Sequence, residues 1–310
     1  MAIYDLIIIG GGPAGITAGI YSARKKLKTL LITKDFIGQA GKTSEVDNFP
    51  GFPEVSGADL MKKFENHLKK FEIEIQEGEE ITKIEKQKEI FLVKTEKRKE
   101  FKGKTLIVAT GRDPRPLEVP GEKEFIGRGV SYCSVCDSPF FKEKAVAVIG
   151  GGNSGFEAAL DLVPYAKRIF IFERSDKLMA DEILQEKIRQ LAEKEKKIEI
   201  HLTKEVRSIE GRGKVQALLY QDVKTGKNYQ VPVDGVFVQI GSIPATGFLK
   251  NLCQFNKWDE IKVDFETCRT SCPGLFAAGD VNNGKWKQIV IAAGEGCRAA
   301  LAAYEYLQRR

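Results

Sequence analysis

Two periods govern where apolar residues fall along this chain. Tyr4 to Ile9 is an almost unbroken apolar run, the pattern of a strand buried on both faces, and it ends in glycines. Pro13 to Ala23 brings apolar residues back at helical spacing, and Lys28 to Thr33 reads as a second strand. Leu60, Met61, Phe64 and Leu68 recur at mostly helical intervals and predict a helix from about Ala58 to Phe71. Lysine- and glutamate-rich strands follow, ending in Thr105-Leu-Ile-Val-Ala-Thr-Gly111.

Arg112 to Pro120 then holds Pro114, Pro116 and Pro120, which marks a linker. After it the pattern starts again, with strand Ala145 to Ile149, a glycine turn, a helix to about Val163 and strand Arg168 to Phe172. Further strands and a Lys/Glu-rich helix continue to Gln239, and Gly241-Ser-Ile-Pro244 reads as a return crossing. Gly274 to Asp280 and a long last helix carry no third glycine turn, so they complete the first domain. The expected fold is α/β, with two Rossmann-like three-layer nucleotide-binding domains, the second inserted within the first. Residues 1–113 and 244–310 make the first and 114–243 the second.

At 310 residues the chain exceeds one usual domain, in keeping with that division. Its net charge of +6 is spread over stretches such as Glu85-Lys-Gln-Lys-Glu89, where lysines alternate with glutamates. No nucleic-acid or membrane footprint follows from that pattern. No run approaches the roughly 18 apolar residues of a membrane span, and Ile7-Ile-Ile9 reads as a strand rather than a signal peptide. The expected location is cytoplasmic. There, six cysteines suggest thiols or a catalytic pair rather than a disulfide scaffold.

Gly10-Gly-Gly-Pro-Ala-Gly15 and Gly150-Gly-Gly-Asn-Ser-Gly155 each follow an apolar strand and open a helix. In that setting glycines let the backbone approach a pyrophosphate at a helix N-terminus. Gly279-Asp280, after a strand of small residues, suits a carboxylate that accepts from a ribityl hydroxyl; the alternative is a solvated strand-end aspartate. Between the two glycine turns stands Tyr132-Cys-Ser-Val-Cys-Asp137. The cysteine pair reads as half of a zinc site, as inert buried thiols, or as a redox dithiol. No second CxxC or histidine pair lies nearby, so no metal site is expected. The redox reading fits best, because Ser138 to Phe141 can begin a helix or turn whose N-terminus stabilises a thiolate.

Thiol exchange also needs a proton carrier. His67 and His201 read as solvated or structural, and Asp137 is the better candidate if burial raises its pKa. Cys253, Cys268, Cys272 and Cys297 gather into no site and read as small core or surface residues.

Taken together, these segments resemble the low-molecular-weight, bacterial and archaeal type of thioredoxin reductase over essentially the whole chain. The resemblance rests on Gly10 to Gly15, Glu45-Val-Asp-Asn-Phe-Pro-Gly51, Ala109-Thr-Gly111, Cys133 to Asp137, Gly150 to Glu157, Gly274 to Val281 and Gln288 to Ala300. It implies an FAD held by Gly10, Gly12, Gly15, Gln39, Asn48, Asp280 and Gln288, with Pro13, Ala14, Thr110, Gly111, Gly279, Lys287 and Ile289 beside them. It implies a nicotinamide nucleotide on Gly150, Gly152, Asn153, Ser154 and Gly155, and a homodimer that reduces thioredoxin or a thioredoxin-like protein. Cys136 would face the flavin, Cys133 attack the protein substrate, and Asp137 serve as acid/base. The family rotates its two domains, which places hinges near Pro114 and Pro244.

The chain departs from the family where the electron donor is read. Members using NADPH usually carry His-Arg-Arg, three residues, then Arg; here the stretch is Glu173-Arg-Ser-Asp-Lys-Leu-Met179. Arginines clamp a 2′-phosphate, whereas an acid at that strand end accepts from a free 2′-hydroxyl, so Glu173 favours NADH over NADPH and Arg174 alone remains of the cluster. The usual Gly-His-x-Pro-Asn-Thr is Gly241-Ser-Ile-Pro-Ala-Thr246, without its histidine. The alternatives are a same-build reductase fed by a donor such as ferredoxin or serving another disulfide protein, and a flavin-binding redox sensor without turnover. In the first domain the strand ends Leu31-Ile-Thr-Lys34 without the usual Glu for the FAD ribose, leaving Thr33 or Asp35 as substitutes.

Overall fold

A computed structural model describes residues 2–43, 46–249 and 251–309. The apolar run near the start becomes β1 (Ile3–Ile9), followed by α1 (Pro13–Arg24), β2 (Thr29–Thr33), α2 (Gly57–Leu68), β3 (Glu74–Glu77), β4 (Ile81–Gln87), β5 (Ile90–Thr95) and β6 (Glu100–Val108). Pro13 opens α1, where its missing N–H costs no helical bond. Ser56 caps α2 by accepting from the Asp59 amide. That helix ends at Leu68, three residues before the expected Phe71, where Lys69 closes the last turn. β6 starts earlier than the apolar run suggests. Its polar half, from Glu100, pairs antiparallel with β5, and its apolar half pairs parallel with β1.

The first crossing, β7 (Arg112–Pro114), leads to β8 (Val130–Ser131), α3 (Ser134–Asp137), β9 (Ala145–Ile149), α4 (Asn153–Leu162), β10 (Arg168–Phe172), α5 (Glu182–Glu195) and β11 (Ile198–His201). β12 (Lys204–Gly211), β13 (Val215–Asp222), β14 (Asn228–Pro232) and β15 (Gly235–Val238) follow. β16 (Ser242–Pro244) is the return and pairs with β7; then come β17 (Leu275–Ala277) and α6 (Ile289–Gln308). Two compact units result, one of Met1–Asp113 with Ile243–Arg310, the other of Pro114–Ser242.

In the first unit the sheet order is β3-β2-β1-β6-β5-β4, with β17 also on β6. Successive side chains of β1 feed opposite faces: Leu6 and Ile8 pack with α1 and α6, Ile7 and Ile9 with Val93, Leu249 and Ile261. In the second unit the parallel order is β11-β10-β9-β15-β8, with the antiparallel β12-β13-β14 sheet beside it. There Val146, Val148, Ile169 and Ile171 face α4 and α5, while Ala147, Ile149, Phe170 and Phe172 face Val206, Ile209 and Leu218. These are the two Rossmann-like layers expected from the repeated pattern.

The strand–turn–helix geometry is duplicated between the units. Gly10 N donates to Ile32 O at 2.8 Å and Gly150 N to Phe172 O at 2.9 Å. Both glycines have positive φ, +114° and +123°. A β-carbon at Gly15 would stand 1.9 Å from Gly10 O, and one at Gly155 would stand 1.9 Å from Gly150 O. Only glycine lets each helix start this close to its strand.

Small residues also set how α6 lies on α1. A β-carbon at Gly296 would stand 2.1 Å from Ala14 O, whereas Gly294 on the same helix faces open space. Gly296→Ala should therefore lower stability by about 1–3 kcal/mol. Gly294→Ala should be neutral or stabilise by up to about 1 kcal/mol. Urea unfolding of the two variants checks the contrast, and equal midpoints would contradict it.

Candidate active site

The first unit gathers most of the residues expected around a flavin. Gly10, Gly12, Pro13, Ala14 and Gly15 form the β1–α1 turn, and no atom lies within 4 Å of where a Gly12 β-carbon would be. Asn48 Nδ2 donates to Gln288 Oε1 at 3.4 Å, joining two expected residues 240 positions apart. Gln39 Nε2 donates to Arg112 O at 3.3 Å, and Thr110 Oγ1 to Ala245 O at 2.8 Å. Gly111 and Gly279 turn the chain at positive φ, and Gln288 caps α6 just before Ile289. Glu45 lies outside the described residues.

Thr33 and Asp35 differ in setting. Ile9 pairs with Ile32 as Ile149 pairs with Phe172, so Thr33 takes the place in the first unit that Glu173 takes in the second. Thr33 Oγ1 donates to Asp35 O at 2.6 Å. Asp35 Oδ1 accepts from the Ile37 and Gly38 amides, both at 2.9 Å, and shapes its own loop.

Asp280 stands at the turn after β17, next to Gly279. Burial pushes its carboxyl above the ordinary range, against the pull of Lys287 and Arg112 and with a push from Glu295. Among the described residues no hydrogen bond reaches that carboxyl, so its acceptor capacity is open to ligand hydroxyls, as the ribityl chain of FAD requires. The residues present fit FAD.

Lys287 does not point its ammonium at Asp280 as a bonded partner. Its Nζ donates to Asn282 O at 2.5 Å and meets Glu260 Oε1 at 3.1 Å, while Arg112 Nη1 meets the same oxygen at 2.9 Å. Burial alone would raise the Glu260 carboxyl, but hydrogen bonds from Asn256, Lys287 and Arg112 hold it below the ordinary range. Behind Asp280, the buried Glu295 Oε2 accepts from Gly279 N and Asn282 Nδ2, both at 2.7 Å, and thereby fixes the turn that carries the acid. Arg112, Glu260, Asn282 and Glu295 were not flagged by sequence, because each is a single polar residue outside any motif.

In the second unit, Gly150, Gly152, Ser154 and Gly155 build the β9–α4 turn with Gly152 as N-cap. Asn153 is partly committed: its side chain exchanges hydrogen bonds with Asp181, at 2.9 and 2.7 Å. Glu173 lies beside the turn, Oε2 accepting from Gly151 N and Oε1 from Ser175 N, both at 2.7 Å. Arg174 is exposed and pairs with Glu205 at 3.3 Å.

The same unit holds Cys133 and Cys136, joined as a disulfide with Cα atoms 5.4 Å apart. The turn expected over Ser138–Phe141 is present as a 3-10 helix, and a separate helical turn, α3, precedes it from Ser134 with Cys133 as its cap. The donor facing sulfur is the Cys136 amide, 3.3 Å from Cys133 Sγ, which favours a thiolate once the bond opens. Cys133 is half-buried and Cys136 exposed.

Asp137 Oδ2 accepts from Ser131 Oγ at 2.6 Å, and Ser134 Oγ ties the turn to α4 through Asp161 Oδ2 at 2.7 Å. Glu122, 1% exposed, accepts from the Leu117 and Glu118 amides and from Tyr132 Oη, all at 2.6 Å. Burial, then that bond, raises the Tyr132 hydroxyl. His201 is stacked on Phe172 and burial lowers its pKa, while His67 is exposed. Burial pushes the Cys253 and Cys268 thiols up to about 11 and about 12, and that of Cys272 up as well.

Comparison with known proteins agrees with this layout. The family described as pyridine nucleotide-disulphide oxidoreductase matches residues 4–296. The chain belongs to that family. It is 39% identical to the thioredoxin reductase of Lactococcus lactis, covering 99% of this chain and all of that one with a TM-score of 0.91. The T. acidophilum thioredoxin reductase is 37% identical, with 98% and 99% covered and a TM-score of 0.88. An alkyl hydroperoxide reductase component from Staphylococcus aureus strain MSSA476 is 40% identical over 306 residues, 99% of this chain; the chain spans 59% of that relative's length. Among the described residues no helix is long and apolar enough to cross a membrane.

Asp280 carries a test of this oxidoreductase site. A raised folded pKa means the group stabilises the fold below its unfolded pKa and loses that contribution as pH rises through the folded value. Its ionised form at pH 7 is therefore a burden on the flavin-free chain. Asp280→Asn should raise the melting temperature of the flavin-free protein at pH 7, narrow that gain toward pH 4, and weaken FAD retention on gel filtration. A lower melting temperature at pH 7 would contradict the assignment.

Proposed function

We propose that this protein is a thioredoxin reductase that passes electrons from NADH, through FAD, to the Cys133–Cys136 disulfide and on to thioredoxin or a thioredoxin-like protein. The observation that carries the proposal is the disulfide itself, held beside an anchored Asp137 in the unit that also bears the second dinucleotide turn. The thioredoxin reductases of similar sequence and fold support thioredoxin as the substrate. The first unit is the FAD-binding domain and the second the pyridine-nucleotide domain, with hinges at the β7 and β16 crossings, and the working form is a homodimer.

FAD, when bound, supplies the electron pair that opens the disulfide. The chain's own residues do the rest. Opening leaves two sulfurs as thiolates, one of which gains a proton. Cys133 Sγ attacks the partner's disulfide, forming a mixed disulfide and expelling one partner thiolate, which takes a proton from Asp137. Cys136 Sγ, its proton lost to solvent, then attacks Cys133 Sγ, re-forming the intramolecular bond and releasing the second partner thiolate. The Cys136 amide stabilises the attacking sulfur as thiolate. Thioredoxin sits near −270 mV, so the donor must lie below that.

The donor reading rests on Glu173. Its carboxylate is fixed by two amides at the end of β10, where it can accept from a free ribose 2′-hydroxyl and repel a 2′-phosphate. The pairing of Arg174 with Glu205 leaves no arginine cluster for that phosphate. A second reading, a reductase serving another disulfide protein, draws on the 40% identity with the alkyl hydroperoxide reductase component.

Three outcomes are expected. Cys136→Ser should keep FAD bound yet reduce thioredoxin only at background rate in a steady-state assay, and retained turnover would count against the scheme. In anaerobic titrations of the flavin spectrum, NADH should bleach at lower concentration than NADPH or reduced ferredoxin. Glu173→Ala should narrow the NADH preference by about tenfold or more. NADPH bleaching first in the parent would show Glu173 misread.

A further inference from the structure

Ser131 sits on β8, 5% exposed, anchored by its pairing with Phe237 of β15. Its hydroxyl meets three groups of the cysteine turn. It accepts from Cys133 N at 3.0 Å, lies 2.6 Å from Asp137 Oδ2 and lies 3.2 Å from Cys133 O, an oxygen that also accepts from Asp137 N. A hydroxyl has one hydrogen and two lone pairs. With one lone pair taken by Cys133 N–H, the hydrogen can serve Asp137 Oδ2 or Cys133 O, but not both. The 2.6 Å separation suits an O–H bonded to a carboxylate.

We infer that Ser131 is a positioning residue for proton transfer by Asp137, its hydroxyl hydrogen resting on Oδ2 while the carboxylate is ionised and turning to the Cys133 carbonyl when Asp137 carries the proton. In the protonated state the Asp137 O–H donates to the free lone pair of Ser131 Oγ. When that proton leaves for the expelled thiolate, the Ser131 hydrogen returns to Oδ2. Solvent reprotonates Asp137 and reverses the turn. No heavy atom has to move, so the acid keeps one orientation through the cycle. The other charged groups near the turn are engaged elsewhere: Asp161 of α4 with Ser134, and Glu122 with Tyr132 and two amides. Among the described residues Ser131 is the hydrogen-bond partner of the Asp137 carboxyl.

This inference rests on Asp137 being the acid, and the test separates the two. The full chain is reduced in advance and mixed with an oxidised Cys-Gly-Pro-Cys peptide at one pH, and the maximal exchange rate and the half-saturating peptide concentration are both read. Asp137→Asn should lower the maximal rate by about a hundredfold. Ser131→Ala should lower it by about fivefold with the half-saturating concentration unchanged, and Ser131→Thr, which keeps the hydroxyl, should restore it. Thermal unfolding shows that each variant is folded; if threonine does not fold, the alanine change alone is read. A maximal rate unmoved in Ser131→Ala but lowered in Asp137→Asn overturns the role of Ser131 and leaves Asp137 as the acid. A rate unchanged in Asp137→Asn overturns both.

Discussion

The closeness of helix to strand at two glycine turns is the constraint on which both units depend. Gly15 and Gly155 face carbonyl oxygens where no β-carbon could fit. Because α1 and α4 begin so near β1 and β9, their first amides open at the strand ends rather than beyond them. The next strand on each side then ends beside the turn, which is how Thr33 and Glu173 come to matching positions. A helix starting one residue later would carry its amides away from both.

A second layer of order comes from carboxylates that bind backbone amides. Glu295 holds the turn before α6, Glu122 holds the segment after the first crossing, and Asp35 shapes its own loop. The two donors that Glu295 satisfies are buried, and each would cost about 1–3 kcal/mol without a partner. Asp280 differs in kind, since burial disfavours its charge and no described group donates to it.

The strands, both glycine turns and the cysteine pair were legible in the sequence because each is a run or a spacing. Periodicity finds β1 and β9 since nearly every side chain there is apolar or small. It places the start of β6 too late, because Glu100 to Gly103 look like surface although they pair with β5. Glu122 stands in Gly121-Glu-Lys-Glu124, indistinguishable from the solvated Lys/Glu stretches elsewhere. Ser131 is one serine among many, and only the fold of the cysteine turn brings Asp137 back to it six residues later. Thr33 and Asp35 look alike in the sequence, and it takes the register to put Thr33 at the strand end and Asp35 in the loop it shapes.

The environments of the remaining sulfurs give the molecule a chemical selectivity. With Cys253 and Cys268 kept protonated far into alkaline solution, and the Cys272 thiol raised by burial as well, they are poor nucleophiles toward disulfides and peroxides. A protein whose task is to handle mobile electrons thus keeps these three thiols out of scrambled pairings by desolvation, with no need to replace them by other residues.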